Sequence, residues 1–286
     1  MAVVAKRSTM TFFSDASSHY SHRVRIVLAE KGVREVNLLG QNVNAYAGTT
    51  HEGEIIDLAE LITYVAAIDG IDRIRFTTSH PVEFSDALID VYAQVPELVS
   101  HLHLPVQSGS DRVLKLMKRG HEIASYKDKI ARLREIRPDI SISSDFIVGL
   151  PGETDEDFME TYEFLRDLDI SYLHVFSYSE RPNTTAVRME GRVPNGIRTQ
   201  RREMLQILSE KKRRAFYESQ IGKTRKVLFE EKQKAGFLYG HSENYVSVKI
   251  PYDPAMVNEL VDFKLKEIDT DGAVKGYEVA PGIVLK

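Results

Sequence analysis

SSDFIVGLPGETDEDF, residues Ser143 to Phe158, decides how the rest of the chain is read. Its residues first alternate and then run apolar through Phe146, Ile147 and Val148, the pattern of a strand buried on both faces in a sheet covered by helices. Gly149, Pro151 and Gly152 follow as a tight turn with little side-chain bulk. Thr154 then stands three residues before Asp157, the spacing of a helix N-cap with an acidic first turn. A strand that ends, a bare backbone and an opening helix form the geometry in which parallel α/β proteins bring ligands against main-chain N–H and C=O groups. An ordinary βα turn needs one glycine. Two glycines, a proline and a carboxylate in GLPGET point instead to a ligand loop.

Upstream, the same alternation recurs. TMTFFS from Thr9 reads as a strand, and HRVRIVLAEK from His22 to Lys31 as a helix ending at Gly32. Strands are expected over Val33–Leu39, Arg73–Thr78 and His101–Val106, with helices over Ile55–Ile68, Asp86–Val95, Asp111–Lys118 and Ser125–Ile136. After the central strand and its helix to about Leu168, Tyr172–Tyr178 supplies a sixth strand. Six strands alternating with helices predict an α/β fold with a parallel sheet and right-handed crossovers. A closed eight-unit barrel takes about 250 residues, so a partial barrel or an open sheet is expected. In both, the strand C-termini share one rim, which would gather GQN (40–42), SHP (79–81), QSGS (107–110), GLPGE (149–153) and SERP (179–182).

From Pro194 the pattern changes to one long helix running to about Ile221, with Met204, Leu205, Ile207 and Leu208 as its packing face. Between Pro194 and Lys226 there are ten Lys or Arg against three Glu, a concentration suited to a phosphate backbone in a chain whose formal net charge is −4. Beyond Gly222, five short alternating strands predict a small barrel, an architecture that often binds oligonucleotides. No apolar run reaches the length of a membrane span and the N-terminus lacks a secretion signal, so a cytoplasmic protein is expected. The chain has no cysteine at all. That excludes disulfides, thiolate catalysis and all-cysteine metal or iron–sulfur sites within it.

Together LLGQNVNAY (Leu38–Tyr46), RIRFTTSHP (Arg73–Pro81), HLPVQSGSDRVLKLMKRGH (His103–His121), SSDFIVGLPGET and FSYSERPNT (Phe176–Thr184) resemble the radical S-adenosylmethionine domain of the tRNA methylthiotransferases of the MiaB group. The strand-rich tail resembles their TRAM domain. The resemblance implies a partial (β/α)6 TIM-like barrel followed by a small antiparallel β-barrel, and a radical reaction that adds a methylthio group to C2 of an N6-modified adenosine next to the anticodon. Its cofactors would be S-adenosylmethionine and 4Fe-4S clusters. By motif position, Gln41 and Asn42 would lie near the methionine moiety of S-adenosylmethionine, and Gln107, Ser108, Gly109 and Ser110 near its ribose. Gly149, Pro151, Gly152 and Glu153 would lie near its adenine, with Arg181 at the rim. The partner implied is the anticodon stem-loop of tRNA, with Arg201, Arg202, Lys211, Lys212, Arg213, Arg214, Lys223 and Arg225 as candidate RNA contacts.

The sequence departs from that family where the chemistry resides. The CxxxCxxC loop expected after the first barrel strand is missing, as is the N-terminal domain with three further cysteines. Residues 1–33 instead resemble the start of stringent starvation protein A, which suggests RNA polymerase as a further partner and a composite sequence. Its parts would be a foreign βα segment (1–33), a radical-SAM-like partial barrel (34–193), a basic linking helix (194–221) and a TRAM-like barrel (222–286). Asp15, His19 and His22 reproduce the spacing of the missing cysteines, but oxygen and imidazole donors do not replace three thiolates around a cubane. The expected outcome is a cluster-less relative without turnover. The alternative is an RNA-binding module that performs no catalysis.

Overall fold

The computed structural model describes residues 9–13, 32–50, 53–77, 79–182 and 184–279. The expected helix over His22–Lys31 and the Asp15, His19, His22 trio lie outside the described residues. Six parallel strands follow one another in chain order: β1 (Thr9–Phe13), β2 (Glu35–Leu39), β5 (Arg73–Phe76), β6 (His101–His103), β7 (Ser141–Val148) and β8 (Tyr172–Ser177). A single parallel bridge, Ile74 to Leu98, joins the first three to the last three. Sequential order separates a partial barrel from a doubly wound sheet, whose order reverses at a switch point. Between β2 and β5 lies a small hairpin, β3 (Gly48–Thr49) and β4 (Ile55–Ile56). Ile55 and Ile56 therefore belong to a strand and not to the expected helix. The helix α1 (Leu58–Ala66) starts after Asp57, which forms a capping box with Glu60.

Among the described residues, the remaining helices of the barrel are α2 (Asp86–Gln94), α3 (Asp111–Leu116), α4 (Ile123–Ile136) and α5 (Asp155–Asp167). The outward residues of the strands, Leu102, Ile142, Phe146 and Leu173 among them, are buried in one core with Leu88, Ile130, Leu133 and Leu165. Among the described residues no pairing closes β8 onto β1, and the inner face is covered only in part. Along β7, Asp145 and Ile147 are half-buried, whereas Ser144, Phe146 and Val148 are fully buried. The expectation of a strand buried on both faces is thus corrected: the apolar run Phe146–Val148 has one covered face and one that looks into an open lumen.

The long helix α6 (Asn195–Gln220) packs along β8, where Ser209 Oγ accepts from Leu173 N at 2.8 Å and donates to Leu173 O at 2.9 Å. It leads into five strands, β9 (Thr224–Lys234), β10 (Phe237–Ser242), β11 (Ser247–Pro251), β12 (Leu260–Ile268) and β13 (Val274–Glu278), closed in the order β10-β11-β13-β12-β9. The closure between β11 and β13 is parallel, so the barrel is not wholly antiparallel as expected. Its core is Val227, Phe229, Leu238, Val248, Phe263, Leu265 and Val274.

The two barrels meet through buried charge. Glu35 on β2 pairs with Arg73 Nε at 3.0 Å and Arg75 Nε at 3.4 Å. Arg73 also donates to the carbonyls of His241 and Ser242 at 2.9 and 2.8 Å, reaching from the large barrel into the small one. Arg75 Nη1 donates to His101 Nδ1 at 3.0 Å, which leaves the proton of the neutral imidazole on Nε2, 3.2 Å from the Tyr172 hydroxyl. The ring of Tyr245, from the turn after β10, stacks between His101 and His241 at 4.5 and 4.7 Å, with the Arg75 guanidinium 4.7 Å from its centroid.

Burial keeps His101 neutral, with a pKa well below the ordinary 6.5, and the neighbouring Arg75 adds to that shift. Burial alone would raise Glu35, but the guanidiniums of Arg75 and Arg73 outweigh it and hold the carboxyl low. The signs of the two linkages agree in outcome. The unfolded chain protonates His101 near pH 6.5 while the fold resists, so stability falls as pH drops below that value. Glu35 contributes stability above the ordinary carboxylate range and loses it as pH falls through its lowered native value. Urea midpoints measured from neutral pH downward are expected to decline in two stages, and His101→Gln to shrink the first. A midpoint that stays flat down to about pH 5 would contradict this.

Candidate functional site

The five polar strand ends do gather at the C-terminal edge of the sheet, but the structure sorts them into three groups. Gln41, Asn42 and Gln107 line one cavity of about 500 Å³, together with Thr77, Ser79, His80, His103, Pro105, Arg119 and Asp145. Two of its loops are clasped by an amide: Asn44 Nδ2 donates to His80 O and His80 N donates to Asn44 Oδ1, both at 2.8 Å. Gln107 has a φ of 79° although it is not glycine. It is held there because its N–H donates to Asp145 O at 2.9 Å and its carbonyl accepts from Ile147 N at 3.0 Å. Strain of this kind persists only where neighbours over-determine it, and it concentrates at ligand sites. Burial, aided by the charge of Arg119, pulls His80 down to about 4, so the cavity presents a neutral imidazole next to a half-buried guanidinium.

Ser108, Gly109 and Ser110 are occupied elsewhere. Gly109 N and Ser108 Oγ meet Thr161 Oγ1 at 3.0 and 3.3 Å, and a Cβ on Gly109 would stand 2.6 Å from the Thr161 Cα. Ser110 Oγ donates to Asp157 Oδ1 at 2.9 Å. Burial would raise Asp157, but Arg112, Thr154 and Ser110 donate to its carboxylate and hold it well below the usual range. QSGS therefore binds the start of α3 to α5, and only Gln107 of the four faces the cavity with Gln41.

GLPGE is likewise turned to structural use. The Gly149 N–H, expected to be bare, donates to Glu153 Oε2 at 3.0 Å. A Cβ on Gly149 would lie 2.4 Å from Arg198 Cγ. The buried Arg201 of α6 joins Glu153 at 2.5 Å and Asp155 at 2.6 Å, while Arg198 donates to Tyr178 O at 3.2 Å and pairs with Glu180 at 3.5 Å. Burial pushes the Glu153 carboxyl up, against the opposing pull of the Gly149 N–H and Arg201. Pro151 is buried and Gly152 N donates to Gly191 O at 2.8 Å. The two loops nearest α6 are thus pinned by that helix.

The candidate RNA contacts fall into different surroundings. Arg201 points inward between two carboxylates. Lys212 donates to the carbonyls of Arg166 and Leu168 at 3.2 and 2.8 Å, capping α5. Lys223 and Arg225 both hold Asp139 at 2.6 Å, and Arg225 also reaches Glu243 at 3.2 Å. These four serve packing. Arg202 is half-buried, and Arg214 pairs with Glu218 one turn on at 2.8 Å. Lys211, Arg213 and Arg214 stand exposed on α6. Residues that the sequence reading did not single out are His103, Asp145 and His174 on the inner face of β6, β7 and β8. Their signal was present as polar residues at every second position in HLH, SISSD and YLH.

Six parallel strands in sequential order, with a polar cavity at their C-terminal edge, define a partial (β/α) barrel of the kind that binds ligands at its rim. The model of the Radical SAM superfamily matches residues 21–165, just over half of the chain, and the chain belongs to that superfamily. Curated relatives include the tRNA-2-methylthio-N(6)-dimethylallyladenosine synthase of Hahella chejuensis, 59% identical over 219 residues, which are 76% of this chain and 49% of the relative. The protein of the same name from Cellvibrio japonicus is 53% identical over 245 residues, 85% of this chain and 54% of the relative. The chain spans about half the length of the curated relatives it matches. Among solved structures, archaeal Elp3 from Methanocaldococcus infernus covers 96% of this chain and 86% of its own at 12% identity, with a TM-score of 0.44, too loose to carry the assignment.

Superfamily chemistry uses S-adenosylmethionine with a 4Fe-4S cluster on thiolates. The donor set of this chain, with no cysteine, does not fit such a cluster. No described helix is long and apolar enough to cross a membrane.

Arg201→Ala is expected to destabilise the fold by about 3–5 kcal/mol, because it strands the buried Glu153 carboxylate. Arg213→Ala, on an exposed site, should stay within about 0.5 kcal/mol. Equal urea midpoints for the two variants would refute the inward role of Arg201.

Proposed function

We propose that this chain is the tRNA-holding body of a tRNA methylthiotransferase, related to the enzymes that form 2-methylthio-N6-dimethylallyladenosine. The observation that carries this reading is the 59% identity to such a synthase over 219 residues, a stretch that covers 76% of this chain. Gln41, Asn42 and Gln107, facing one cavity, are proposed to contact the methionine and ribose portions of S-adenosylmethionine. Ser108 to Ser110 and Gly149 to Glu153 support that cavity from behind, through α5 and α6. The sulfur and methyl additions at C2 of the adenosine need iron–sulfur thiolates, so this chain alone binds without turning over.

The small barrel is proposed to be TRAM-like and, with the exposed face of α6, to hold the anticodon stem-loop. Lys211, Arg213 and Arg214 offer cations there, and Tyr252 and Tyr277 on the barrel are 45% and 56% exposed, as base-stacking groups would be. A cytoplasmic setting is proposed with this substrate.

Anisotropy titration of labelled tRNA over a range of salt tests the reading. Affinity should fall with salt, and an isolated anticodon stem-loop should compete. Neutralising Lys211, Arg213 and Arg214 together should reduce the log–log slope by about two, since each phosphate contact contributes about 0.7–0.9. Arg201→Ala should leave the slope unchanged. Salt-independent affinity, or the same slope after the triple neutralisation, would overturn it.

A further inference from the structure

The inner face of the open barrel carries a second constellation, formed by side chains from three neighbouring strands. Register pairs His103 with Ser143 and Asp145 with His174, so His103, Asp145 and His174 come together on one face of β6, β7 and β8. Their donor atoms, one from each residue, all lie within 4.8 Å of one another, and this is the one such group among the described residues. We propose that these three side chains bind a single divalent transition-metal ion of the zinc or iron(II) type.

Two features favour an ion over a simple ion pair. First, His103 Nε2 stands 3.4 Å from Asp145 Oδ1. A charge-assisted hydrogen bond would close to about 2.7–2.9 Å. Two donors of a tetrahedral site with bonds of about 2.0–2.1 Å are held about 3.3–3.4 Å apart by the ion between them. Second, His103 Nδ1 lies 2.9 Å from Ser143 Oγ. With the Nδ1 proton donated to that hydroxyl, the Nε2 lone pair is left facing the carboxylate, which is how an outer hydrogen bond prepares a histidine ligand.

Two imidazoles and one carboxylate select a borderline ion over calcium or magnesium, which prefer all-oxygen shells. His103 and Asp145 also line the rim cavity with Gln41, Asn42 and Gln107. A tetrahedral ion held by three side chains keeps its fourth position for water or a ligand, and here that position would open on the cavity.

The test uses the full chain, purified without a histidine tag, stripped with chelator and titrated with Zn²⁺ alone by calorimetry. One equivalent should bind, and Co²⁺ in its place should give the intense visible absorption of a low-coordinate site. Asp145→Asn and His174→Gln should each weaken Zn²⁺ by more than about 100-fold, and Ser143→Ala by about 10–100-fold, the range for a lost outer hydrogen bond. His174 is exposed, so its variant should keep the urea midpoint of the unaltered chain. A His19→Gln/His22→Gln variant should bind as before. Absence of stoichiometric Zn²⁺, undiminished binding by His174→Gln, or loss of binding in the His19/His22 variant would overturn the proposal.

Discussion

Among the described residues the six parallel strands make no closing pair between β1 and β8, and the inner face of the sheet has to be reconciled with water. This chain resolves that constraint with polar side chains. Glu35, Arg73, Arg75, His101, His103, Ser143, Asp145, Tyr172 and His174 occupy inward positions of the strands, where a closed barrel would place branched apolar residues. At one end of the lumen, Glu35 and the two arginines are buried by the small barrel. At the other, the lumen opens on the rim cavity.

The buried charges make the junction between the barrels specific. Arg73 has Glu35 on one side and two carbonyls of the small barrel on the other, so docking completes the hydrogen bonding of a guanidinium that would otherwise be stranded. Asp139 repeats the device with Lys223 and Arg225. Farther along, Arg198 and Arg201 of α6 reach the loops after β7 and β8. One helix thereby ties the rim to the small barrel.

Much of the framework was legible in the sequence because it is written in local periodicity. Thr154 and Asp157 do form the reciprocal cap, α6 runs from Asn195 to Gln220, and the five strands after Gly222 close a barrel. The fate of the polar groups was not legible, since it depends on partners distant in sequence. Arg201 reads as a basic surface residue until Glu153, 48 positions earlier, is found beside it. Gly149 reads as bare backbone until Arg198 closes over it. His103, Asp145 and His174 lie on three separate strands, and only register brings them together.

The polar rim cavity is present in this chain, and thiolates are not. Anaerobic iron–sulfide reconstitution, followed by quantitation of bound iron and sulfide and of 5′-deoxyadenosine formed from S-adenosylmethionine under reducing conditions, addresses that point most directly. The expected result is no stoichiometric cluster and no 5′-deoxyadenosine above the protein-free control. A full complement of iron and sulfide with 5′-deoxyadenosine produced over many turnovers by the cysteine-free chain would contradict the account.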